Sequence, residues 1–242
     1  MRASAAAAPA IPEDVQASDL DRAARARLRT LSRENADGVA QHLVMAGRLL
    51  DEDPELAYEH AQAAVRRAGR VDVVREAAAI TAYRTGRYAE ALRELRTVRR
   101  LNGSDEHLPL MADCERGLGR PDRALALAQE DGARDLPDEL KAELAIVISG
   151  ARVDLGDPDA ALAVLSPYLS SALDPELSTR VAEARASALT AAGRGDEAAQ
   201  VLQAINPGGE EKEDVVVFDL EDDTVEDGAA ARGAGRPTGE VR

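Results

Sequence analysis

Apolar residues return every three to four positions through most of this chain, and the phase breaks and restarts at short polar turns. The clearest stretch runs from Ala78, Ala79, Ala82 and Tyr83 to a break at Gly86. It restarts with Tyr88, Ala91, Leu92, Leu95 and Val98. That spacing marks one face of an α-helix, a glycine where a left-handed backbone ends it, and a second amphipathic helix. The unit recurs. Counted from Glu52, Gly86, Gly119, Gly156 and Gly193, an alanine falls five residues on, at Ala57, Ala91, Ala124, Ala161 and Ala198. The turns are 34, 33, 37 and 37 residues apart. A period of that length is a two-helix unit that buries its apolar face only by stacking on neighbours. The turns read EDPELA, GRPDRA, GDPDAA and GRGDEA, with proline or acids where a new helix begins.

Before the array, a helix is predicted over 18–33, with Ser18 as its cap, Asp19 and Asp21 in the first turn, and Leu20, Ala24, Leu28 and Leu31 on one stripe. It reads as a cap over the open end of the stack. Residues 1–17 are rich in alanine and proline and are expected to be disordered. After Pro207 the chain turns acidic around one apolar hexad, Val215, Val216, Val217, Phe218, Asp219 and Leu220. This 207–242 segment is expected to be disordered alone. The hexad has three readings: a strand added to a partner's sheet, a plug for the chain's own groove, or a cover for the last repeat. The fourth reading is a solubilising tail that touches nothing. An uncovered last repeat, with Ala199 and Leu202 outward, would favour a homodimer.

Composition narrows the chemistry. With no Trp and one Phe, the core must come from Ala, Leu, Val and Ile, so helices have to approach closely. The formal charge is −15, of which residues 208–242 carry −7. That argues against general nucleic-acid binding, although Arg66-Arg67 and Arg99-Arg100 are local basic clusters. One cysteine, no leucine-rich leader in MRASAAAAPA and no apolar run near 18 residues read as a cytoplasmic protein without a membrane span. His42, His60 and His107 match no metal-ligand spacing, so no metal or cofactor is expected. Cys114, beside Met111 and Ala112, reads as a small buried hydrophobe. The string Gly193-Arg194-Gly195-Asp196-Glu197-Ala198 follows a helix, not a strand, and reads as an interhelical turn rather than a dinucleotide site.

These residues resemble tetratricopeptide repeats, about five of them over 38–206. The family's small residue seven places before the turn position falls at Ala79, Ala112, Ser149 and Ala186, with Met45 in the first unit. The stretches DPELAYEHAQAAVRRAGR and MADCERGLGRPDRAL are similar to repeat proteins of GC-rich bacteria. The resemblance implies an all-α, right-handed solenoid of five antiparallel hairpins that binds a peptide or protein and catalyses nothing. It also implies a concave groove lined by the first helices. The positions it carries over are His42, Glu76, Ile80, Tyr83, Arg84, Asp113, Arg116, Ile146 and Gly150. Tyr83, Arg84 and Arg116 are the expected ligand contacts, since arginine grips carboxylates through two bonds. Gly150, inside an apolar helix, costs about 1 kcal/mol relative to alanine, and either admits a partner's backbone or is merely tolerated. The lysine set by which some relatives hold a terminal carboxylate is absent before Lys141. The alternatives are a regulatory adaptor whose acidic tail is the ligand or gates the groove, and a hydrolase built on Cys114 or a histidine.

Overall fold

The structure is a computed structural model and describes residues 8–170 and 172–206. Its described residues are helical, with no strand among them. The helices are α1 (Arg22–Arg27), α2 (Arg33–Arg48), α3 (Pro54–Ala68), α4 (Asp72–Arg84), α5 (Tyr88–Asn102), α6 (Leu108–Gly117), α7 (Pro121–Leu127), α8 (Asp131–Arg134), α9 (Asp138–Asp154), α10 (Pro158–Leu165), α11 (Pro175–Ala191) and α12 (Gly195–Ile205). Neighbours pack in pairs: α2 on α3, α4 on α5, α6 on α7, α9 on α10 and α11 on α12. The leading helices also meet one another, α2 on α4, α6 on α9 and α9 on α11.

Four turns share one hydrogen-bond pattern. Gly86, Gly119, Gly156 and Gly193 have φ of 71°, 69°, 76° and 73°. In each, the next residue's N–H reaches back five positions, Arg87 to Ala82, Arg120 to Glu115, Asp157 to Arg152 and Arg194 to Leu189, at 2.8–2.9 Å. This closes the orphan carbonyls of the first helix and requires a residue that accepts positive φ. The turn of the first pair, residues 49–53, has no glycine. There Asp53 stops the chain, its carboxylate accepting from Leu56 N–H at 3.0 Å to start α3.

The alanines after the turns are buried where the paired helices pack. Ala57, Ala91, Ala124 and Ala161 are fully buried and Ala198 is 4% exposed; the small residues seven before the turns, Ala79, Ala112, Ser149 and Ala186, are buried too. With so little side-chain volume at these positions, the backbones must come close to reach interior density. The largest core joins Leu92, Leu95, Leu108, Met111, Leu144 and Ile148 across several pairs.

The N-terminal region departs from expectation. Residues 8–17 are not loose: Val15 is fully buried with Val44 and Met45, and its carbonyl accepts from the Gln41 amide at 2.9 Å. Arg48 ties the segment further, to Asp14 at 3.2 Å and Asp19 at 3.1 Å. Nor is there one helix over 18–33. Leu20 is extended, and Asp21, not Ser18, caps the short α1 by accepting from Ala23 and Ala24 N–H at 2.7 and 3.2 Å. Asp21, standing directly before α1, takes two of its orphan N–H groups, and Ala17–Asp19 forms a separate 3-10 turn. Leu28 still reaches the core it was expected to cover. The hexad from Val215 to Leu220 lies outside the described residues.

Candidate binding groove

One cavity of about 480 Å³ runs along α4, α6, α9 and α11. Its apolar wall is Pro109, Ile146, Val147, Val153 and Ala184; its polar side carries Tyr83, His107, Asp113, Arg116, Glu143 and Arg180. Five of the nine residues assigned to the groove are here: Tyr83, Asp113, Arg116, Ile146 and Gly150.

Each polar member is set by a contact about one repeat away. Tyr83 donates its hydroxyl to Asp113, and its ring meets Tyr88 edge-on at 5.7 Å. Burial, and then the carboxylate bond, push the Tyr83 hydroxyl upward, so it remains a donor. Arg180 grips Glu143 through two bonds, the second at 2.6 Å. Arg116 lies between Asp113 at 3.7 Å and Asp154 at 3.5 Å, and its buried Nε makes no hydrogen bond. Gly150 explains the position: a Cβ there would stand 3.0 Å from Arg116 Nε and 3.1 Å from its Cζ. The glycine leaves room for the side chain of the arginine of the preceding unit, a third reading beside partner backbone and tolerance. His107 Nε2 is likewise buried without a hydrogen bond, 3.6 Å from Glu76 and 3.7 Å from Glu106.

The remaining four assignments lie elsewhere. Glu76 faces His107 beside the groove, and burial raises its carboxyl despite the neighbouring imidazole. Ile80 is half-buried, and Arg84 is tied to Asp51 of the first pair. His42 is a correction. It is 2% exposed and packed inward, its Nδ1 2.9 Å from Nδ1 of the fully buried His60. The two imidazoles share one hydrogen bond there, with His60 Nε2 left without one, and α2 turns His42 toward α3 rather than outward. Burial, then the charges of His60, Arg67 and Arg66, lower His42 to about 4; burial lowers His60 as well.

Cys114 is fully buried, and burial pushes its thiol up to about 12, the reverse of an activated nucleophile. Among the described residues no group of three His, Cys, Asp or Glu side chains could hold a metal, and no helix is long and apolar enough to cross a membrane.

His107, Glu143 and Arg180 were missed by the sequence reading. For the last two a signal existed, since they stand 37 residues apart, one repeat length. A scan against protein-family models and a search of curated proteins found no match to this chain.

Proposed function

We propose that the chain is a tetratricopeptide-like array, a right-handed superhelix of the five pairs α2/α3, α4/α5, α6/α7, α9/α10 and α11/α12, and that it binds a peptide or protein in the groove without catalysing a reaction. The observation that carries this reading is the pair of buried nitrogens that make no hydrogen bond, His107 Nε2 and Arg116 Nε, each only at ion-pair distance from carboxylates, on the polar side of the cavity. A buried polar group without a partner costs roughly 1–3 kcal/mol, which carbonyl or carboxylate oxygens of a bound peptide would relieve. A cavity near 480 Å³ with a few convergent polar groups is also of ligand-site size.

The test is affinity co-purification of the full chain from its own cells, in parallel with Arg116→Glu and Ser187→Trp. Ser187 is exposed and lines the groove, so tryptophan fills it without entering the core. A partner lost from both variants supports the reading. A partner kept by both, or none at all, sinks it.

A further inference from the structure

Away from the groove, where α3 passes into α4, lies cationic charge that the fold leaves unused. Three nearby arginines are committed: Arg27 to Asp72, Arg75 to Glu94 at 2.6 Å, and Arg99 to Asp105 at 2.6 Å and Glu130 at 2.7 Å. Arg66, Arg67 and Arg70 are exposed, and none meets a carboxylate of the described residues within 4.0 Å. Arg67 and Arg70 line two adjoining cavities of about 330 and 490 Å³ that share Thr30, Arg70 and Val71. The apolar rim of the first is Leu101, 42% exposed.

Stability explains only part of this cluster. Arg66 and Arg67 end α3, where the helix dipole favours cations. Arg70 has no such reason. It precedes Val71, the N-cap of α4, at the positive end of that helix, where a cation is unfavourable. The acid of that first turn, Asp72, is already held by Arg27 through two bonds, one at 3.0 Å.

We infer that this face binds an acidic peptide segment of a partner protein, with carboxylates on Arg66, Arg67 and Arg70 and an apolar side chain on the exposed Leu101. Guanidinium groups hold carboxylates by paired bonds. The ligand is short and local because the chain as a whole is at −15, and its repulsion of anions is screened only beyond about 10 Å in ordinary salt. A nucleic acid fits less well. Three arginines displace few counterions, and a phosphate backbone offers nothing to an exposed leucine.

The probe is a short fluorescein-labelled peptide of alternating Glu and Asp with two central leucines, titrated by anisotropy into the full chain at low and high salt. Its controls are the same peptide with glycines for leucines and a single-stranded DNA of equal charge. The expected result is salt-sensitive, saturable binding, about fivefold tighter for the leucine peptide. Arg70→Glu should weaken it about tenfold, Arg66→Glu/Arg70→Glu further and Arg70→Gln less, all with unchanged circular dichroism. Arg116→Glu should leave it unaltered, which separates this face from the groove. Absence of saturable binding, indifference to Arg70→Glu, or equal affinity for the DNA and both peptides would overturn the inference.

Discussion

Acidification from about pH 8 to about pH 5 is expected to cost this fold about 2 kcal/mol through one buried pair, His42 and His60. Their Nδ1 atoms are 2.9 Å apart, so one must donate and the other accept; a second proton would set two donors face to face. Nearby arginines, Arg66 and Arg67, oppose the added charge. His42 therefore titrates near 4 when folded, against 6.5 when unfolded. Between those values the unfolded chain binds more protons, so this contribution is complete above 6.5 and is lost as pH falls toward 4. At about 1.4 kcal/mol per unit, integration to about pH 5 gives about 2 kcal/mol, and the lowered His60 acts in the same direction. Carboxylates interfere little, because they ionise near 4 when unfolded. The assay is urea unfolding followed by circular dichroism across that range, for the native chain and for His42→Leu/His60→Leu. Replacing both partners removes the titration without leaving an orphan. The difference between the two stability curves should shrink by about 2 kcal/mol over the range. Parallel curves, or an NMR titration placing His42 near 6.5, would refute the reasoning.

Four other outcomes can be checked with the same unfolding assay or a simple reagent. Gly86→Ala should destabilise by roughly 1–2 kcal/mol, because φ of 71° is strained for any Cβ. Gly47→Ala should instead stabilise by roughly 0.5–1 kcal/mol, since Gly47 is helical and a Cβ would meet nothing within 4 Å. Identical effects at the two glycines would contradict the turn geometry. Ala91→Leu, at a fully buried point of close helix approach, should cost about 1–3 kcal/mol by overpacking; a neutral result would mean that the helices there are not in contact. Cys114 should resist Ellman's reagent in native protein near pH 8 and react only on unfolding, because the thiol is fully buried and its ionisation is pushed to about 12. Fast native labelling would show that α6 opens readily.

The sequence by itself determined whatever repeats within one helix pair. The period, the glycine turns and the buried alanines were legible because helix phase and positive φ are local properties, and each recurs with the same neighbours in the chain. Resemblance carried the groove partway, to Tyr83, Asp113, Arg116, Ile146 and Gly150, because successive leading helices present equivalent positions to one side. Tertiary structure decided the rest. His42 leaves the groove because His60, on the next helix, is the polar partner that a buried imidazole needs. Gly150 lies against the Arg116 side chain, one unit earlier. Val15 is buried because α2 offers it Val44 and Met45 together with the Gln41 amide that takes its carbonyl's bond. Each depends on which atoms meet across helices, which a single helix's pattern does not encode.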